Sequence, residues 1–215
     1  MKSISGVDSM ERWLHRANDG GDFMRKKSHI SLARFLVRGL DNDVLSRRWK
    51  AFYVGSLLPD CRPSFLTMRH EYDETFDLVE QKIHRLVECG QELPMDSMRY
   101  MIDLGQVLHY IADYFTFPHN SNYPGNLKDH CRYEEYLKLG LRSYLNSKKA
   151  VFHNECVPQM NSVEDILNYV RERHQEYMSH LSSVEEDCEY ITRVCSEVLS
   201  AVAMLTAVQP MAYAA

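Results

Sequence analysis

Apolar residues recur at the three- and four-residue spacing of an α-helix over most of this chain. Leu32, Leu36 and Leu40, for example, fall close to one helical stripe. Gly90 directly follows another such segment, and glycine commonly ends a helix. The pattern predicts helices over residues 28–40, 43–54, 72–89, 96–115, 127–146, 163–181 and 184–208.

Alternating β-branched runs are few, and the chain has only nine glycines and seven prolines, so strands and tight turns are not expected to dominate. Its 215 residues suffice to bury the core of one domain. We therefore predict an all-α protein, with a single-domain helical bundle over residues 28–215. Residues 1–27 are polar and glycine-rich near residues 19–22, and we expect them to form a partly mobile N-terminal segment.

Charge and composition narrow the class of protein. The net charge is −5, from 25 basic and 30 acidic residues, so no basic excess indicates a nucleic-acid-binding patch. The N-terminus lacks the apolar core of a secretory signal. The longest apolar stretch, residues 201–208, is interrupted by Thr206 and is too short to span a bilayer. Six cysteines without a C-x-x-C pair are expected to be free thiols, and we expect a cytoplasmic location.

The candidate chemistry lies in two blocks of metal-ligating residue types. His109 and Asp113 are four residues apart, and so are His130 and Glu134. On a helix this offset places both side chains of a pair on one face. Each pair can therefore bind one ion without distorting the backbone, and histidine with carboxylate is a typical ligand set for hydrolytic zinc.

Further potential ligands lie outside these helical pairs. Prolines 59 and 118 bias the residues before them away from helix, so Asp60 and His119 are expected near the ends of elements, where functional side chains are common. His70 follows Asp60 within the first half of the chain, and His29 precedes both.

Other conspicuous residues have simpler interpretations. The acidic run Glu185, Glu186 and Asp187 is expected to be a solvated helix start, where acidic side chains favour the helix dipole. The aromatic residues beside the metal pair are expected to form core or cleft wall. The remaining histidines lack comparable carboxylate spacing and are interpreted as surface or packing residues; they are His15, His84, His153, His174 and His180.

Taken in order, the ligand series resembles that of the zinc-dependent phospholipase C family, with the S1/P1-type nucleases as more distant kin. The resemblance covers an Asp after a G-S-x-x-P turn, a later His, H-x-x-x-D, a further His and H-x-x-x-E. It implies an all-helical domain that carries zinc ions in a cleft. The implied ligands of the first zinc are Asp60, His70, His109 and Asp113, and those of the second are His119, His130 and Glu134.

The family's third zinc site is less well matched. The resemblance implies His29 and Asp113 as two of its ligands, together with the backbone amine and carbonyl of a mature N-terminal Trp. Trp13 is internal, so its amine is bonded in an amide and is not a ligand. Asp22 is a candidate replacement. We therefore expect two zinc ions and leave the third site open.

The resemblance implies a phosphoester hydrolase whose substrate is a small phosphoester or a phospholipid head group. Asp60 is the candidate catalytic residue, acting as the base that positions or deprotonates water. One alternative is a phosphodiesterase for nucleotides or other soluble diesters, as in the related nucleases; another is a non-catalytic metal-binding protein. Imidazole and carboxylate also suit manganese, iron and nickel. The sequence lacks E-x-x-H, H-E-x-x-H, Walker A and G-x-S-x-G motifs, which argues against other common metal, nucleotide and serine-hydrolase sites.

Overall fold

Helices make up most of the part of the chain that the computed structural model describes, which is residues 23–61, 71–89, 93–179 and 183–208. No strand occurs within these ranges. Two short 3₁₀ turns, Phe117–His119 and Val157–Gln159, lie on the connections. The helices are α1 (Phe23–Gly39), α2 (Asp43–Cys61), α3 (Tyr72–Glu88), α4 (Met98–Tyr114), α5 (Leu127–Leu145), α6 (Val163–Met178) and α7 (Val184–Val208). The predicted all-α fold is confirmed.

The largest difference from the predicted helix bounds is in α2. The sequence predicted an end at Val54, but the helix continues to Cys61 with Pro59 inside it. Pro59 lacks the N–H that would bond the carbonyl of Gly55, and this loss is tolerated in the last turn because the helix ends two residues later. The inference that Pro59 keeps the residue before it out of a helix was wrong. Asp60 nevertheless lies at the end of an element, as expected.

Two glycines allow α2 and α4 to pack backbone against backbone. A Cβ atom on Gly55 would lie 2.2 Å from the carbonyl oxygen of Ile102, and one on Gly105 would lie 2.3 Å from that of Phe52. No side chain fits at either position, so glycine is required for this approach. The contact brings the last turn of α2 beside the middle of α4.

The core forms around α4, which packs against α2, α3 and α7. Helix α1 closes one side by packing on α2 and α5. Almost every residue of α4 is buried, and Val107, Ile111 and Tyr114 are fully so. A helix buried on all faces is expected at the centre of a bundle.

By length and composition, helix α7 is apolar enough to cross a membrane over Val184–Ala207, a longer segment than the residues 201–208 that the sequence analysis considered too short. In the protein, 61% of that window is buried, and α7 packs against α3, α4, α5 and α6. These contacts are typical of a core helix. The position of α7 in the core of the bundle therefore accounts for its apolar sequence.

Candidate metal centre

One ligand cluster combines side chains from three helices. His29 on α1, Asp60 at the end of α2 and His109 on α4 bring their ligand atoms within 4.8 Å of one another. The imidazole rings of His29 and His109 stack with their centroids 3.9 Å apart. Asp60 and His109 are buried, and His29 nearly so. We call these three residues the buried cluster.

Asp113 lies one helical turn after His109 and faces three histidines. Its Oδ1 is 3.3 Å from Nε2 of His29, and its Oδ2 is 3.2 Å from Nε2 of His109. The same Oδ2 is 3.8 Å from Nδ1 of His119. Asp113 therefore joins the buried cluster to the rest of the site.

A second cluster combines a turn with one helix. Nε2 of His119 and Nε2 of His130 lie 3.2 Å and 2.9 Å from the same Oε1 of Glu134. All three residues offer ligand atoms within 4.8 Å of one another. His130 and Glu134 are partly exposed, unlike the buried cluster. We call this group the rim cluster.

His109 is oriented so that its Nε2 can bind a cation. Its Nδ1 lies 2.9 Å from the backbone carbonyl of Ser56, which only accepts, so Nδ1–H donates to it. In the neutral imidazole, Nε2 then carries a lone pair that points at the oxygens of Asp113 and Asp60. Facing lone pairs repel unless a proton or a metal ion lies between them. A backbone carbonyl that sets the histidine tautomer in this way is common at metal sites.

The electrostatics of the metal-free site also favour a bound cation. Burial alone would lower the pKa of His109, but the carboxylates of Asp113 and Asp60 and the hydrogen bonds raise this pKa to about 9. Burial would raise the pKa of Asp113, but the positive charges of His119, His109 and His29 hold it well below its ordinary value. The centre thus attracts positive charge, which a divalent ion supplies when it displaces the protons.

Asn120 and His174 hold the turn that carries His119. The Asn120 amide donates to the carbonyls of Tyr114 and Thr116, at 3.2 Å and 3.0 Å. Its Oδ1 accepts from Nε2 of His174 at 2.8 Å. The His174 ring is buried, so it is a packing residue, but the sequence did not reveal its link to the site. Only its proximity to Asn120 in space does so.

The expectation that Asp187 belongs to a solvated acidic run was wrong. Its side chain is fully buried, whereas Glu185 and Glu186 are exposed. Asp187 accepts hydrogen bonds from the backbone N–H of Phe117 at 3.1 Å and from the hydroxyls of Tyr133 and Tyr177 at 2.9 Å and 2.7 Å. It therefore anchors the Phe117–His119 turn to α7.

The structure brings together seven of the eight predicted metal ligands. His70, the eighth, lies outside the described residues, and so do Trp13 and Asp22. His29, assigned by resemblance to the third site, contacts Asp113 as expected but also belongs to the buried cluster.

A cavity of about 30 Å³ opens onto both clusters. Its polar wall contains His29, Asp60, Asp113, His119 and Glu134. The rest of its wall is largely apolar and includes Leu32, Leu137, Leu141 and Ile191. Because an apolar wall keeps the local dielectric low, charges in this cavity interact more strongly than in water.

Comparison with known proteins supports the same assignment. Residues 28–184, almost three quarters of the chain, match the family model described as zinc dependent phospholipase C. Neither the curated proteins nor the solved structures gave a significant match. The family match and the clustered histidine and carboxylate side chains support zinc as the metal. The family inferred from the order of the ligands is thus confirmed, and the chain belongs to the zinc-dependent phospholipase C family.

Proposed function

We propose that this protein hydrolyses phosphodiesters in the manner of a phospholipase C, with Asp60 as the catalytic base. The observation that carries the proposal is the convergence of seven imidazole and carboxylate side chains from four helices and a turn, five of which line one cavity. Such a centre suits phosphoryl chemistry because bound zinc neutralises phosphate oxygens and lowers the pKa of water to about 7.

The two clusters divide the metal ligands. Asp60, His109 and Asp113 would hold the first zinc, with His70 as the further ligand that the family resemblance implies. The rim cluster would hold the second. His29 and Asp113 are available to a third ion, because the His29 Nε2 lies only 3.3 Å from the Asp113 carboxylate.

Asp60 is placed to handle a proton. It is buried, it lines the cavity, and its Oδ1 lies 3.8 Å from Nε2 of His109. A carboxylate in this position can orient a water molecule and accept its proton as the water attacks phosphorus. The attack breaks the bond to the leaving oxygen, which then takes up a proton.

Substitution of Asp60 by Asn tests this role. The amide keeps the size of the side chain and an oxygen ligand, but it does not accept a proton at neutral pH. We expect the zinc content to be retained and kcat to fall by about 10²-fold or more. Asp103→Asn is the matched control, because Asp103 is a buried carboxylate that pairs with Lys82 at 2.8 Å, away from the centre. Full activity of zinc-loaded Asp60→Asn would remove Asp60 from the base role.

The apolar wall of the cavity favours a diester with an apolar leaving group, as in a phospholipid. Phosphatidylcholine in mixed micelles, a soluble chromogenic phosphocholine diester and a dinucleotide should therefore be compared as substrates. Faster turnover of the lipid supports the phospholipase proposal. A cytoplasmic location stays a separate prediction. Preference for the dinucleotide would favour the nuclease-like alternative. No turnover of any of the three by zinc-loaded protein would leave a non-catalytic metal-binding protein.

A further inference from the structure

A second group of potential ligands lies where the connection between α5 and α6 crosses α7. The 3₁₀ turn Val157–Gln159 packs on α7 there. His153 and Glu155, just before this turn, bring their ligand atoms within 4.8 Å of that of Glu197 on α7. This group shares no residue with the metal centre, and Glu197 lies beyond the family match.

Glu197 is the unusual member of the group. Its side chain is fully buried, and neither carboxylate oxygen makes a hydrogen bond of good geometry among the described residues, although the Tyr169 hydroxyl and the Cys156 thiol lie beside it. A buried charge without partners costs several kcal/mol, so such groups are normally paired or bind metals. No side chain among the described residues supplies a positive group at bonding distance, so a bound cation would balance this carboxylate.

The neighbouring arginines do not fill this role. Arg173 directs its Nη1 to Glu176, at 2.7 Å, and its buried Nε has no hydrogen-bond partner. Arg193 lies one helical turn before Glu197, but no ion pair joins the two within the part of the chain that the structure describes. Within the described residues, Glu197 therefore forms no salt bridge with either arginine.

The electrostatic effect of Glu197 reaches its other neighbours. Burial raises the pKa of the Tyr169 hydroxyl well above its ordinary value, and the charge of Glu197 raises it further. The Cys156 thiol shows the same two effects in the same order, since burial and then Glu197 raise its pKa. The hydroxyl of Tyr169 is also buried without a hydrogen-bond partner. Both of these neighbours are uncharged donors, so the carboxylate still lacks a positive partner at bonding distance among the described residues.

The other two ligands lie on the solvent side. His153 and Glu155 are two residues apart on the non-helical chain that enters the turn. Nδ1 of His153 lies 3.3 Å from Oε2 of Glu155. Glu155 is exposed, so an ion can enter from solvent and reach the buried carboxylate beneath.

We propose that His153, Glu155 and Glu197 bind a divalent transition-metal ion, such as zinc, at a second site separate from the metal centre. One neutral imidazole and two carboxylates balance a dication, and this mixed nitrogen and oxygen set suits zinc, manganese or ferrous iron. The ion neutralises Glu197 and ties the α5–α6 connection to α7. Its role is structural, because binding the ion links two segments that the fold otherwise joins by packing.

The test is the zinc content per chain after dialysis of the full-length protein against zinc-buffered solution, measured by elemental mass spectrometry. The double variant His153→Ala/Glu155→Gln changes only partly exposed side chains, and we expect it to contain one zinc fewer than the unmodified protein. The control is His84→Ala/Glu88→Gln, which removes another partly exposed His–Glu pair, 2.9 Å apart, to which the described residues bring no buried third ligand. The expectation that His84 lacks a carboxylate at helical spacing was wrong, since Glu88 lies four residues further on. We expect this control to keep the full zinc content.

Two outcomes overturn the proposal: equal zinc contents in the unmodified protein and His153→Ala/Glu155→Gln, or equal losses in the two double variants. Glu197→Gln provides a second test, since it should also lack one zinc and should lose the rise in melting temperature that zinc gives through this site. If zinc raises the melting temperature of Glu197→Gln as much as that of the unmodified protein, the site does not exist. Hydrolysis is not measured in either test, so failure here is independent of the proposed function.

Discussion

The buried cluster and the rim cluster use the same residue types but are assembled differently. The buried cluster joins three helices and depends on the close packing of α2 on α4. The rim cluster joins a turn to the first two turns of α5, and its most distant members are 15 residues apart in the chain. The rim cluster therefore rests mainly on local helix geometry, and the buried cluster rests on the tertiary fold. A change in packing should affect the buried cluster first.

Asp113→Asn should have the largest effect, because this one carboxylate faces histidines of both clusters. The neutral amide no longer balances their charge, so we expect loss of at least one zinc and a fall in kcat/KM of about 10³-fold. Activity assays combined with metal analysis would measure both.

The matched change in the rim cluster is His130→Ala. It should remove one zinc and leave the buried cluster loaded, since among the described residues His130 contacts Glu134 and His119 but no member of the buried cluster. If Asp113→Asn proved milder than His130→Ala in both zinc content and kcat/KM, Asp113 would not join the two clusters.

Gly105→Ala should break the buried cluster without touching a ligand. The new methyl group would lie 2.3 Å from the backbone oxygen of Phe52, so α2 must move away from α4 and carry Asp60 with it. We expect a loss of about 3 kcal/mol in the free energy of unfolding, as for other overpacked sites, with loss of zinc from the buried cluster. Urea unfolding and metal analysis would test this.

Gly140→Ala on α5 is the control for this change. Its Cβ would meet a side-chain methyl group of Val184 at 2.6 Å, and a side chain gives way more easily than backbone. The variant should keep its zinc and lose less stability. Equal zinc loss in both glycine variants would show that the α2–α4 contact does not control the buried cluster.

His174 should make the stability of the turn that carries His119 depend on pH. Burial lowers its pKa from 6.5 to about 4, so the unfolded chain binds its proton more readily. Its stabilising contribution is complete above pH 6.5 and is lost as pH falls towards 4, by at most about 3 kcal/mol. Unfolding by urea across this range should show a shallower decline for His174→Gln than for the unmodified protein.

His84→Gln, which alters a partly exposed histidine, is the comparison for that measurement. Its pH profile should follow that of the unmodified protein. Identical profiles for all three proteins would mean that the pKa of His174 does not differ between the folded and unfolded states, contrary to the expected effect of its burial.

The smallest expected effect is a difference in the rate of metal loss. The rim cluster is partly open to solvent and the buried cluster is not, so a chelator should remove zinc from the rim cluster several-fold faster. A stopped-flow assay with a colorimetric chelator should resolve two phases, and His130→Ala should lack the faster one. A single phase in the unmodified protein would contradict the proposed difference in access.

Helices and ligand pairs that depend on residues three or four apart could be predicted from the sequence. The helical spacing of apolar residues located the helices, and the two four-residue offsets placed His109 with Asp113 and His130 with Glu134. The order of the ligands identified the family by its resemblance to the family's motif, and each four-residue offset constrains geometry before any tertiary contact forms. The sequence alone therefore determined the all-helical fold and the family.

Only the tertiary structure decided which distant groups meet. The Ser56 carbonyl sets the tautomer of His109 because Gly55 and Gly105 let two backbones touch, and no periodic signal announces that contact. Asp187 belongs to an acidic run that looks solvated, yet packing buries it under the turn that carries His119. Tertiary packing likewise brings His153 and Glu155 next to Glu197. Burial and partners are properties of the folded chain as a whole, so local pattern does not specify them.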